Sequence, residues 1–194
     1  MSPRTPKQFE EIREEKKDLI TQVALELFAN EGFHTTSISK IAKKAKISKG
    51  LMYNYFESKE GLLKEIIFNG IQDFMQFFDP NHDGVITNEE LLHFIAQFLK
   101  TIKDNVVYWR LFFSLMVQVP VLKLFEGELW AMFDPFFKML HSYFESEGYE
   151  DPQAEVYFFQ STMDGVGMTY ASDPENYPIA AVEKKLISMY SKKN

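Results

Sequence analysis

The sequence predicts an all-α protein, with a three-helix N-terminal head containing a helix-turn-helix and a larger helical C-terminal domain. Three observations predict it. Apolar residues recur three and four apart through most of the 194 residues, and no alternating strand pattern appears. The 8 prolines and 9 glycines sit mainly where helices would end. Charge is divided unevenly: residues 1–64 carry 12 Lys and Arg against 9 Asp and Glu, while residues 65–194 carry 9 against 19. A small basic head on an acidic body follows from that asymmetry. The aromatics are also uneven, with 15 of the 19 phenylalanines after residue 64.

Leu19, Val23 and Leu27 form one i, i+4 row and Ile20, Ala24 and Phe28 the next, giving a first helix of about four turns that stops at Gly32. Ser37 is placed to cap a short second helix with Ile38, Ile41 and Ala42 inward and Lys40, Lys43 and Lys44 outward. Ser48 caps a third, from Lys49 to about Phe56. A fourth opens near Ser58 and runs through Leu62, Leu63, Ile66 and Ile67 to Phe78. Further helices are expected at Asn88–Lys103, Val106–Val117, Phe125–Glu147 with a kink at Pro135, Pro152–Tyr170 and Ile179–Ser191. The domain boundary falls inside the fourth helix, with the head at 1–62 and the body at 63–194.

Composition excludes several chemistries. With no cysteine, disulfides, thiolate metal sites and cysteine nucleophiles are absent. The longest apolar stretch, Val106 to Phe125, is interrupted by Arg110, Gln118, Pro120 and Lys123, so no membrane span is expected. Residues 1–20 are charged and lack the apolar core of a signal peptide, so the expected location is cytoplasmic. The four histidines (34, 82, 93 and 141) are scattered, and neither a phosphate-cradling glycine loop nor a nucleophile elbow is present. An enzyme is not expected.

Between Gly32 and Phe56 lie five lysines (40, 43, 44, 46 and 49) and no acid. Short helices joined by a tight turn, the second opening on polar and basic groups, fit a motif that presents one helix to a DNA major groove while the other braces it. Lysines and hydroxyls around it supply phosphate contacts, which carry most of the affinity. Ile41, Ala42, Ile47, Met52 and Phe56 read as core.

The run Ile41-Ala42-Lys43-Lys44-Ala45-Lys46-Ile47-Ser48-Lys49-Gly50-Leu51-Met52-Tyr53-Asn54-Tyr55-Phe56 closely resembles the DNA-binding segment of the TetR family of bacterial repressors. The flanks Ala24–Phe28, Gly32-Phe33, Thr35–Ile38 and Ser58–Leu62 resemble it as well, for about 55 residues in all. The resemblance implies an all-helical homodimer that binds an operator through the head and a small ligand through the body. Carried over by position, Ser48, Lys49 and Leu51 open the recognition helix, and Tyr53 and Asn54 face the groove one turn on. Tyr55, Lys59, Thr36 and Ser37 match positions that usually touch phosphate; Lys46 and Gly50 complete the DNA-facing set. Two residues depart from the pattern. Lys46 stands where the family generally has glycine, so the turn is either strained at a positive φ or built differently. Leu51 replaces a more usual threonine or alanine, favouring apolar contact with thymine methyls.

Residues 79–90 match the calcium loop of an EF-hand position by position. Asp79, Asn81 and Asp83 take positions one, three and five, and Gly84 makes the sharp turn at six. Val85 offers its carbonyl at seven, Thr87 stands at nine, and Glu90 closes the loop as a bidentate carboxylate. Chance coincidence of six such restricted positions in one chain has a probability on the order of 10⁻⁴. The TetR resemblance implies no metal here. No second loop is available to pair with this one, so the expected site is weak, with Kd roughly 10⁻⁵ to 10⁻³ M for calcium or another divalent cation.

A ligand cavity in the body is expected to be lined from Tyr108, Trp109, Phe112, Phe113, Met116, Trp130, Phe133, Phe137, His141, Phe159 and Met163, with Gln118 and Gln160 as further polar groups. The dimer surface is expected on the last two helices, through Gly165, Gly167 and the row Val182, Leu186 and Met189. The function that fits is a ligand-responsive transcriptional regulator, expected to be a repressor. It would hold a near-palindromic operator as a homodimer until a small apolar or amphipathic effector releases it, with a divalent cation in the loop. The alternative is a calcium-sensing helical adaptor whose head binds protein.

Overall fold

The computed structural model describes residues 5–191, which form ten helices and no strand. Their contacts divide the chain into two compact units, one ending at Ile67 and the other beginning at Phe68.

The first unit contains α1 (Pro6–Glu31), α2 (Ile38–Lys44), α3 (Lys49–Tyr53) and the start of α4 (Lys59–Met75). Helix α1 is longer than its apolar stripe predicts. Thr5 caps it in a reciprocal box with Gln8, which adds a charged, largely exposed extension ahead of Ile20. At its other end Gly32 turns the chain at a φ of 89°. Ile20, Ala24, Leu27, Phe28, Ile41, Ala42, Met52, Phe56, Leu62 and Leu63 form the unit's buried core, and the Phe28 and Phe33 rings meet edge-on at 5.2 Å. Ile47, expected in that core, is half-buried. Lys17 and Glu65 form an ion pair at 2.7 Å.

The second unit continues α4 and adds α5 (Asn88–Asp104), α6 (Val106–Met116), α7 (Val119–Leu122), α8 (Glu126–Ser146), α9 (Pro152–Ser172) and α10 (Ile179–Tyr190). Helix α5 lies against α6, α9 and α10, burying Leu91, Phe94, Ile95, Phe98, Leu99 and Ile102 at the spacing of one helical face. Its first residue fixes it further, because Asn88 donates to the Tyr143 hydroxyl at 2.8 Å and to the Tyr190 carbonyl at 2.7 Å. Helix α8 runs through Pro135 without ending, forgoing the hydrogen bond that this residue would donate to the preceding turn. Helix α7 was not expected from the sequence. Pro120 sits in its first turn, where a missing N–H costs nothing.

Two glycines mark close approaches. A Cβ at Gly70 would lie 2.2 Å from the Tyr108 ring, and one at Gly167 would lie 2.5 Å from Phe113. Gly167 therefore serves internal packing and not the expected dimer surface. Leu186 is likewise buried in the core, whereas Met189 is exposed and Gly165 faces open space. Gly70→Ala should lower stability by about 1–3 kcal/mol, the cost of overpacking. Gly127→Ala, at an open helical position, should leave it unchanged or raise it by up to about 1 kcal/mol. Thermal melts of the two variants check this; equal melting points would remove the close-packing role assigned to Gly70.

Candidate functional site

The helix-turn-helix is built from two serine caps. Ser37 accepts from the Lys40 amide at 3.2 Å, and Ser48 accepts from the Leu51 amide at 3.0 Å. Between them Lys46 adopts a φ of 56°, so the turn is built in the left-handed conformation with a side chain in place. Helix α3 is shorter than expected, ending at Tyr53, and Asn54 serves as its C-cap. Ser48, Lys49, Gly50, Leu51, Tyr53 and Asn54 are all exposed, while Tyr55 is half-buried. Leu51 and Tyr53 stand out as large exposed apolar groups beside the buried Met52. The nearest atom to a Cβ added at Gly50 would be 4.0 Å away, so nothing inside the protein demands glycine there.

Two of the residues expected to touch phosphate have partners inside the head. Thr36 is buried and donates its hydroxyl to the Gly32 carbonyl at 2.9 Å, so it braces the turn between α1 and α2. Lys59 is half-buried, with its ammonium donating to the carbonyls of Phe33 at 2.8 Å and Thr36 at 3.1 Å and lying 4.3 Å from the Phe33 ring centre. It ties the start of α4 to the same turn. The basic stretch is also less free than its composition implies: Lys40 pairs with Glu31, and Lys44 pairs with Glu26 at 2.8 Å. Lys43, Lys46 and Lys49 make no ion pair among the described residues, and they are exposed with Ser37.

The second unit encloses a cavity of about 380 Å³. Of the expected lining residues, Trp109, Phe112, Met116, Trp130, Phe133, Phe137, Phe159 and Met163 stand in its wall with Gln160. Tyr108, Phe113 and His141 lie outside it, since Tyr108 packs across Gly70 and Phe113 across Gly167. Sequence reasoning missed Ile71, Phe74 and Met75 from α4, Phe94 and Phe98 from α5, and Leu122, Glu126, Leu129 and Asp164. Their helical periodicity marked several as buried, but only the tertiary arrangement turns them toward a common space. Phe74 meets Phe94, Phe98 and Trp109 with ring centres 4.9–5.6 Å apart. The indole N–H of Trp109 is buried without a hydrogen-bond partner among the described residues. Asp164 is an exposed residue that lines the cavity beside Gln160. Desolvation pushes its pKa up to about 6, partly opposed by a hydrogen bond from Gln160.

The 79–90 loop closes on itself. Asp79 accepts from the amides of Asp83 and Gly84, and Asp83 accepts from the Val85 amide at 2.8 Å. Asn81 donates to both Asp83 and Glu90 at 3.1 Å. His82 and Gly84 take φ values of 59° and 76° to make the bend, and Ile86 is buried beneath it while Val85 is exposed. Glu90 is the third residue of α5, and its carboxylate accepts from the amide and hydroxyl of Thr87 in a capping box. Among the described residues, no three His, Cys, Asp or Glu side chains gather into a group that could hold a metal ion. No helix among them is long and apolar enough to cross a membrane.

Residues 20–66 match the family described as bacterial regulatory proteins, tetR family, and the head is a helix-turn-helix domain of that family. The chain is 53% identical over 53 residues to the uncharacterized HTH-type transcriptional regulator YuxN of Bacillus subtilis, covering 27% of this chain and 18% of that one. It is 38% identical over 72 residues to the HTH-type transcriptional regulator HbdR of an Aromatoleum strain, covering 37% and 31%. The chain thus spans less than a third of the length of either relative. In fold it resembles the transcriptional regulator FadR from Bacillus subtilis, solved in complex with stearoyl-CoA, with a TM-score of 0.70 at 18% identity over 89% of this chain and 96% of that one. These relatives are named as transcriptional regulators and none as an enzyme.

Replacing Lys46 with glycine should raise stability by about 1 kcal/mol by removing the left-handed penalty, whereas Lys46→Ala should give no such gain. Equal melting points for the two variants would show that the turn carries no strain.

Proposed function

We propose that the protein is a ligand-responsive transcriptional regulator that binds a near-palindromic DNA operator as a homodimer and is released by a small apolar or amphipathic effector. The observation that carries the reading is the capped α2–α3 pair, with Lys49, Leu51, Tyr53 and Asn54 exposed on a helix whose other side is core. One short helix reads too few bases alone, which is why two heads are needed. A second copy has a surface to meet: along α9, Tyr157, Phe158 and Met168 are exposed, with Ser161 and Gly165 between them. The effector reading rests on the cavity, whose wall includes Ile71, Phe74 and Met75 of α4, the helix that also supplies Leu62 and Leu63 to the core of the head. An effector that binds the DNA-free state more tightly by about 1–3 kcal/mol is enough for a modest switch.

Selection from random duplex DNA should yield a near-palindromic site footprinted by a dimer. Lys49→Ala and Tyr53→Ala should each weaken it by about 1–3 kcal/mol without changing the helical content. Unchanged affinity at physiological salt would remove the DNA reading and favour an adaptor whose head binds protein. A single asymmetric half-site held by a monomer would remove the dimer.

We further propose that the 79–90 loop takes one calcium ion through Asp79, Asn81, Asp83, the Val85 carbonyl, Thr87 and Glu90. What favours it is the complete twelve-residue pattern together with the left-handed bend at Gly84. Calorimetry on metal-stripped protein should give one ion per chain, with Glu90→Gln weakening binding most and magnesium competing poorly. At calcium about 100 times Kd, stability should rise by roughly 2.7 kcal/mol. No saturable heat and no melting shift at millimolar calcium would leave the loop as a cap and staple only.

A further inference from the structure

We infer that the cavity is selective for lipophilic cations, such as amines or quaternary ammonium compounds with an apolar body; this rests on the reading of the cavity as the effector site. The charge of the wall carries the inference. Two of its residues are ionisable, Glu126 on α8 and Asp164 on α9, and both are acidic. No lysine, arginine or histidine is among the residues that line it, and neither carboxylate has an ion-pair partner among the described residues. The remainder of the wall is mostly aromatic and aliphatic, with Trp109 and Trp130 among its rings.

Aromatic faces are the negative regions of their rings and attract a cation, most strongly once it is desolvated. A ligand with a negative head would set that head against those faces and two carboxylates with no counter-charge. The positions of the acids add an orientation. Glu126 and Asp164 are both exposed, while Phe94, Phe98 and Phe159 in the same wall are buried. A cationic group would rest beside these acids and its apolar body inside. The cavity, about 380 Å³, falls in the size range of drug-sized ligands. The Trp109 N–H, which has no partner among the described residues, would donate to a carbonyl or ether oxygen of either kind of ligand, so it does not decide the sign of the charge. Desolvation pushes the Asp164 pKa up to about 6, a cost that a cation beside the carboxylate would offset.

Three probes of equal chain length separate charge from hydrophobicity: decyltrimethylammonium, decanol and decanoate, titrated below their micelle concentrations into the whole 194-residue chain by calorimetry. The cation should bind at least tenfold more tightly than decanoate, with decanol between. The double variant Glu126→Gln, Asp164→Asn should cut that preference below threefold while leaving decanol affinity unchanged, and its melting curve shows whether it is folded. Met116→Trp, which fills the cavity, should weaken all three. Decanoate binding as tightly as the cation, a preference that survives in the folded double variant, or no binding by any probe would overturn the inference. Operator affinity is read in parallel. Cation binding that leaves the operator complex intact supports the charge selectivity and removes the effector reading, whereas release by decanoate alone overturns the selectivity and leaves the effector reading standing.

Discussion

Helix α4 must serve two cores along seventeen residues, and much else follows from how it does so. Its first turns place Leu62 and Leu63 in the core of the head, and its later turns place Ile71 and Phe74 in the core of the body. The change of partner occurs where Gly70 leaves room for the Tyr108 ring, a space that any side chain would close. With Tyr108 seated there, Trp109 reaches Phe74 and Phe98, with ring centres 5.5–5.6 Å away, and the aromatic wall of the cavity is assembled around them. The same helix begins at Lys59, whose ammonium is used to hold the Phe33–Thr36 turn. One element thus positions the brace of the helix-turn-helix at one end and lines a cavity near the other.

Charge in the head has been divided between holding and presenting. Exposed ion pairs contribute little to stability, typically below about 1 kcal/mol, so Lys40–Glu31 and Lys44–Glu26 matter more for where they leave α2 than for what they add. They turn two of the five lysines back onto α1. Lys43, Lys46 and Lys49 remain, spread from the end of α2 across the turn to the start of α3. A net charge of −7 for the whole chain is therefore compatible with a basic local surface.

What the sequence made legible was local. The Ser37 and Ser48 caps, the stop at Gly32 and the stripe of α5 depend on residues within one or two helical turns, and those were readable. The positive φ at Lys46 was readable as one of two ways to build a turn where glycine is usual. The internal partners of Thr36 and Lys59 were not legible because they are set by how α1, α2 and α4 fold back on one another; Lys59 reaches 26 residues to Phe33. The cavity was half-legible for the same reason. An aromatic at helical spacing can be recognised as buried, but whether it faces a neighbour, as Phe113 does, or a space, as Phe112 does, depends on the packing of a second helix. Helix α7 was hidden because Pro120 reads as an interruption unless it falls in a first turn.

The loop at 79–90 and the cavity share a dependence on α5. Glu90 caps the helix by accepting from Thr87, and two residues earlier Asn88 ties its start to Tyr143 on α8 and to the Tyr190 carbonyl at the end of α10. One and two turns further along, Phe94 and Phe98 stand in the cavity wall. A cation drawn to Glu90 would have to redirect the carboxylate that now caps α5, exchanging one means of satisfying the helix start for another. The exchange acts on backbone groups at the end of a helix whose middle is locked among α6, α9 and α10. The Asn88 hydrogen bonds do not involve Glu90, so they can hold the helix start in place while its cap changes. A stabilising role for the loop thus requires only that the start of α5 be held more firmly. A regulatory role requires more: the change at the cap must be carried past Asn88 to Phe94 and Phe98.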